Sequence, residues 1–229
     1  GADGKGADVV LEFWGGEPFV YWKTLKPLAE RLKEMYPNIQ FSLITNGSLL
    51  TYEKNEWLDQ LGFQVGMSHD GPGYHVRGED PLDSPEQKAI ILELWNRLGA
   101  SGRMSFNAML NKDNPSRAAI TQFFQDRLGF VPAIGEGTFI DPYDEGGHGV
   151  CFDDAADHYE FRNRALADLR DGAAMSFTTI IHKVNDFVES VVNNRPASSV
   201  GQKCGMDKSD NIAVDLLGNV LTCQNTSHV

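Results

Sequence analysis

Apolar and polar positions follow two alternating periods along the first 140 residues. Short apolar runs at 9 to 13 (VVLEF), 40 to 45 (QFSLIT), 63 to 68 (FQVGMS), 104 to 110 (MSFNAML) and, more faintly, 137 to 140 (GTFI) have the length of strands. Helical spacing fills the gaps. Trp22, Leu25, Leu28, Leu32 and Met35 recur every three to four positions, with Pro27 acceptable in a first turn. Ser84-Pro85-Glu86-Gln87 predicts a helix start with a Ser cap, Pro at the first position and Gln closing a capping box. The stripe Ile90, Ile91, Leu94, Trp95 and Leu98 follows, and Gly99 predicts a left-handed stop. Asn114-Pro115 predicts the next start, ahead of Ile120, Phe123, Phe124, Leu128 and Gly129. Strands and helices alternating without tight hairpins predict parallel strands joined by right-handed crossovers, hence a barrel or partial barrel.

After about residue 147 the pattern becomes two helical stretches, 153 to 171 and 176 to 193. The second carries the apolar face Phe177, Ile180, Ile181, Val184, Phe187, Val188 and Val191. Arg195-Pro196-Ala197-Ser198-Ser199 reads as a linker before a segment opened by Cys204. The division predicted is a barrel over 1–147, a helical connector over 148–200 and a small cysteine-containing unit over 201–229.

Composition narrows the function. Twenty Lys and Arg against 32 Asp and Glu give a formal charge of −12, which repels phosphate backbones and anionic lipid, so neither nucleic acid nor a membrane is an expected partner. No apolar run reaches membrane-spanning length, and the first residues carry no signal-peptide pattern, so a cytoplasmic protein is expected. Three cysteines, an odd number, favour reduced thiols or metal ligands over a disulfide framework.

In a parallel sheet the residues just past each strand share one rim. That rim collects Gly15, Gly16 and Glu17, then Thr45, Asn46 and Gly47, then Ser68, His69, Asp70 and Gly71, with Asn107 and Asn111 around the fourth strand. Paired glycines let backbone carbonyls approach a ligand, and carbonyls beside a carboxylate suit an ammonium group. Each turn taken singly is an ordinary turn sequence; their fall on one end is what points to a site.

FWGGEP after a strand, then SLITNGSLLT, then VGMSHDGP, in this order and spacing, resembles the radical S-adenosylmethionine enzymes, in particular the anaerobic sulfatase-maturase and peptide-maturase group with a cysteine-rich SPASM extension. Cys204, thirteen residues, Gly218, four residues and Cys223 resemble the opening of that extension, with IAVDLLGNVLTC as its hairpin and Leu217-Gly218-Asn219 at the turn. The resemblance implies that Gly15, Gly16 and Glu17 hold the ammonium of S-adenosylmethionine, that Ser68 faces its ribose, and that Thr45 and Asn46 line the same cavity; Asp70 and Asn107, on the same rim, are expected to join the cofactor site. It also implies that Cys204 and Cys223 ligate an auxiliary [4Fe–4S] cluster, while Cys151 matches nothing in the pattern. A reduced [4Fe–4S] cluster would turn the cofactor into a 5′-deoxyadenosyl radical that abstracts hydrogen from a peptide or protein, with flavodoxin or ferredoxin as reductant.

The departures from the family pattern carry expectations too. CxxxCxxC, which binds the redox cluster, is absent and would precede Gly1; later SPASM cysteines would follow Val229. An internal fragment, inactive by itself, is expected. His69 stands where the family has an aliphatic residue, His75-Val76-Arg77 is shorter than the family's HDxxR, and Gln224 replaces the base of sulfatase maturases, leaving the catalytic base unassigned. Two other functions compete: a barrel that binds peptide or nucleotide without catalysis, and a hydrolase using Glu17 and Asp70 as paired carboxylates.

Overall fold

The computed structural model describes residues 9–138, 154–196 and 212–221. Two compact units divide at Ile181 and His182. In the first, β1 (Val10–Phe13), β2 (Gln40–Thr45), β3 (Gln64–Ser68), β4 (Met104–Leu110) and β5 (Ile134–Thr138) form one sheet in sequence order, every pair parallel. The crossovers carry α1 (Trp22–Met35), α2 (Tyr52–Gln60), α3 (Pro85–Leu98) and α4 (Arg117–Leu128). Consecutive order with one helix per right-handed crossover puts the helices on a single face, the arrangement of an open partial barrel.

Strand alternation decides what each face carries. Phe41, Leu43, Val65, Met67, Met104, Phe106 and Ala108 point into the helix-covered core with Phe63, Ile91, Leu94 and Phe124. The other face carries Ser42, Ile44, Gln64, Gly66, Ser105 and Asn107, which line an open depression of ≈ 180 Å³.

Several local expectations change in the structure. The fifth strand lies at Ile134–Thr138, pairing Phe106 with Ile134 and Asn107 with Gly135; its two glycines mask the apolar pattern. Pro27 sits inside α1, because a 3₁₀ turn over Pro18–Tyr21 leads into the helix before the apolar stripe begins. Ser84 caps α3 by accepting from the Gln87 amide, but the Gln87 side chain does not close the box: it donates to the carbonyls of Gly47 and Leu50. Gly99 remains right-handed with φ −63°, and the left-handed residue is Gly102, one 3₁₀ turn later. A Cβ on Gly99 would meet the Trp95 indole at 2.7 Å, so packing rather than handedness selects that glycine. The cap of α4 is Ser116, not Asn114.

α5 (Ala155–Arg170), capped by Asp154, joins the first unit through a buried charge cluster. Arg117 makes a bidentate pair with Glu136 of β5 at 2.7 and 2.8 Å, its amide donates to Asp168 of α5 at 3.1 Å, and its guanidinium lies between the rings of Phe161 and Phe177.

α6 (Thr178–Val192) spans the division between the units. In the second unit Arg195 folds back onto Asp186 and Glu189, and β6 (Ala213–Val214) pairs antiparallel with β7 (Val220–Leu221). The turn between them is the one the sequence predicts: Gly218 is left-handed with φ 87°, and the Asp215 carboxylate accepts from the amides of Leu217 and Asn219. Cys151, Cys204, Cys223 and Gln224 lie outside the described residues.

Candidate functional site

Because the sheet is parallel and in register, the segments after β1, β2, β3 and β4 all leave from its C-terminal edge, as the rim reading requires. Gly15 and Gly16 are exposed, with φ of 102° and 55°, and no described residue lies within 4 Å of where their Cβ atoms would be. Glycine is required there by backbone handedness, and the space above it is open.

Two carboxylates work as lateral staples along this rim. Glu17 accepts from the Phe19 amide at 3.1 Å, which caps the 3₁₀ turn, from the buried Thr45 hydroxyl at 2.9 Å, and from the Asn46 amide at 2.8 Å. Asp70 accepts from the Met109 amide at 2.7 Å. Each carboxylate thus follows one strand and holds a backbone amide at the end of the next. Their charge balance differs. Asp70, 2 % exposed, is paired by the two-pronged guanidinium of Arg77. No cation among the described residues forms an ion pair with Glu17. Lys54 feels its charge: burial lowers the Lys54 pKa, with Glu17 and Glu53 acting in the opposite direction. Yet its ammonium is engaged by the Leu49 carbonyl and lies over the rings of Phe19 and Trp22.

The remaining rim residues divide into turn builders and open groups. Thr45 accepts from the Gly47 amide, Asn46 from Ser48, and Asn111 from the amides of Asp113 and Asn114, so these side chains shape the loops. Ser68 and Asn107 are neighbours across β3 and β4, half-buried, and their side chains have no hydrogen-bond partner among the described residues. The Asn107 carboxamide sits against two glycines of the flanking strands. A Cβ at Gly66 would meet its Nδ2 at 2.5 Å, and one at Gly135 its Oδ1 at 2.4 Å.

Sequence reasoning missed three supports. Asn114 donates to the Asp70 carbonyl, Gln87 ties down the Gly47 carbonyl, and Arg77 neutralises Asp70. Only Arg77 had a signal in the sequence, its place after His75. The Asp70 carboxylate is thus engaged by Arg77 and the Met109 amide in holding the rim. Among the described residues no group of three or more His, Cys, Asp or Glu is placed to hold a metal ion.

No protein-family model matches the chain. It is 31% identical over 112 residues, 46% of its length, to the radical SAM cyclopropyl synthase TigE of Paramaledivibacter caminithermalis, of which it spans 22%. Among solved structures it is similar to the anaerobic sulfatase-maturating enzyme anSMEcpe with bound AdoMet, at TM-score 0.56 and 21% identity, covering 84% of this chain and 54% of that one. It is also similar to native anSMEcpe with bound AdoMet and Cp18Cys peptide, at TM-score 0.57 and 20% identity, covering 90% and 56%. The fold is that of radical S-adenosylmethionine enzymes, and the chain spans little more than half the length of these structures.

Proposed function

We propose that the chain is the S-adenosylmethionine-binding part of a radical S-adenosylmethionine maturase that modifies a peptide or protein substrate. The observation that carries this reading is Glu17: a half-buried carboxylate, oriented by three donors and lacking an ion-pair partner among the described residues, beside two glycines whose surroundings are open. An ammonium group supplies the missing charge and takes the remaining acceptor site of the carboxylate, while the Gly15-Gly16 carbonyls accept its other hydrogens.

In this reading Ser68 and Asn107, whose side chains have no hydrogen-bond partner among the described residues, offer a hydroxyl and a carboxamide to the nucleoside, and Thr45, Asn46 and Asp70 hold the loops that shape the cavity. S-adenosylmethionine held there would supply hydrogen-abstraction chemistry, one electron from a [4Fe–4S] cluster breaking its S–C5′ bond with release of methionine. The three cysteines of this sequence, Cys151, Cys204 and Cys223, include no CxxxCxxC, and the role proposed for its described residues is to position the cofactor. Cys204 and Cys223 as auxiliary-cluster ligands, flavodoxin or ferredoxin as reductant, a cytoplasmic setting and the division at 147 and 200 belong to the same proposal. The curated relative named as a radical SAM synthase and the neighbour bound to AdoMet and a peptide support the reading.

The test is calorimetric titration of S-adenosylmethionine into the anaerobically purified protein and its Glu17→Gln variant. Gln keeps an acceptor for Thr45 and for one of the two amides but loses the charge and the bond to the other amide, so binding should weaken by at least about 1.5–3 kcal/mol, the worth of a hydrogen bond to a charged group. Equal affinity in the two folded proteins would contradict the assignment.

A further inference from the structure

His69 is fully buried between the two rim residues Ser68 and Asp70, yet nothing in the reading above uses it. A buried imidazole is costly unless both nitrogens are satisfied, and here both are. Nδ1 accepts from the Gly71 amide at 3.1 Å, and Nε2 lies 3.0 Å from Asp80 Oδ1. An acceptor at Nδ1 requires the proton on Nε2, so the hydrogen bonds select one neutral tautomer, Nε2–H donating to Asp80. The ring is enclosed by Tyr74, Phe123, Phe124 and Phe106, at centroid distances of 4.3, 5.4, 5.4 and 6.4 Å. Asp80 is itself anchored: it accepts from the Leu82 amide at 2.8 Å and lies 3.5 Å from Arg127, which pairs with Asp83.

The consequence lies in the backbone on either side. The His69 amide makes a ladder bond to the Asn107 carbonyl at 2.9 Å, and with the ring fixed as well this residue has no freedom to rotate. Strand alternation then sends Ser68 to the face opposite the His69 ring, beside Asn107. On the other side Asp70 is delivered to the Met109 amide and to Arg77. The long segment from Gly71 to Ser84 is pinned at Asp80 by the same ring. An aliphatic residue at this position would fill the aromatic enclosure but hold neither Gly71 nor Asp80.

We infer that His69 is a positioning residue of the cofactor rim, working as an Nε2–H latch that fastens Gly71 and Asp80 together and thereby aims Ser68 and Asp70. This rests on the reading of the rim as the S-adenosylmethionine site, and the experiment separates the two. In the free protein, long-range 1H–15N spectra of ring-labelled histidine should show a single Nε2–H tautomer, with slow exchange at the Gly71 amide. An Nδ1–H tautomer, or averaging between tautomers, overturns the latch whatever the rim binds.

Substitutions divide the two bonds. Asn keeps an acceptor near Nδ1, Gln keeps a donor near Nε2, and Leu keeps neither. S-adenosylmethionine affinity, measured by calorimetry where circular dichroism shows every variant folded, should fall about tenfold in His69→Leu, what one or two orienting hydrogen bonds are worth. Asn and Gln should each restore part of it. Gly71 exchange should stay slow in His69→Asn and quicken in His69→Gln. Unchanged affinity in folded His69→Leu would make His69 a packing residue only. If His69→Leu does not fold, equal affinity of wild type, Asn and Gln overturns the proposal in the same way. Wild-type protein that binds no S-adenosylmethionine overturns the rim reading and the aiming role with it, and the free-protein spectra still decide the tautomer.

Discussion

Glu17 and Asp70 are the same device in two states of charge balance. Each carboxylate closes the edge of the sheet by accepting an amide at the end of the next strand, but Asp70 is matched by Arg77 while Glu17 has no ion-pair partner among the described residues. The positions of both residues were legible in the sequence, because a carboxylate in a glycine-rich turn after an apolar run is a local signal. The difference between them was not, since it depends on where Arg77 folds. Asn107 shows the same limit. Its place on the rim strand was readable, whereas its seat depends on Gly66 and Gly135, which lie 41 and 28 residues away in sequence and become neighbours only through strand register. The seat gives a prediction. Gly135→Ala puts a methyl group 2.4 Å from Asn107 Oδ1, so the carboxamide must swing off the sheet. The variant should lose about 1–3 kcal/mol in urea unfolding, the usual cost of overpacking. Because the carboxamide belongs to the proposed site, it should bind S-adenosylmethionine more weakly as well. A variant of wild-type stability and affinity would show that Asn107 is not seated as described.

At the scale of elements, the strands and helices of the parallel sheet were legible from periodicity because each has an apolar face meeting one core. The errors fall at ends and edges. β5 is an edge strand whose Gly135 and Gly137 leave room for Asn107 and Met109, so it lacks the apolar alternation that marks β2 and β4. At α3 the Ser84 cap was read correctly, but at α4 the cap is Ser116 and not Asn114, and Gln87 and Asn114 spend their side chains on distant loops instead of helix ends. Attachment of α5 was invisible, since Arg117 finds Glu136 and Asp168 at separations of 19 and 51 residues. That cluster is nearly dry: the side chains of Arg117, Glu136 and Asp168 are 6, 7 and 7% exposed. Removing the cation leaves two carboxylates buried together. Arg117→Ala should therefore destabilise the first unit by about 3–5 kcal/mol, the cost of breaking a buried ion pair. Chemical denaturation monitored by circular dichroism checks this, and a loss below about 1 kcal/mol, the worth of a surface pair, would show that the cluster is hydrated rather than sealed.

For the molecule as a whole, the acidic balance and the ordered rim motifs pointed to a small-molecule site on a parallel sheet, and the fold agrees with that of enzymes solved with AdoMet bound. What the sequence could not convey is how far the described rim is held by its own hydrogen bonds. Thr45, Asn46, Asn111 and Asn114 are committed to loop hydrogen bonds, while the Ser68 and Asn107 side chains have no hydrogen-bond partner and Glu17 no ion-pair partner among the described residues. A rim held in this way costs little ordering on binding, so the ligand should leave a local footprint and not a global one. Hydrogen–deuterium exchange with and without saturating S-adenosylmethionine reads that footprint directly. The account predicts slowed exchange at residues 15 to 17, 45 to 48 and 68 to 71, on the C-terminal edge of the sheet, with residues 102 to 105 at the opposite edge unchanged. Protection confined to that opposite edge, or none on the rim at a concentration where calorimetry records binding, would contradict it.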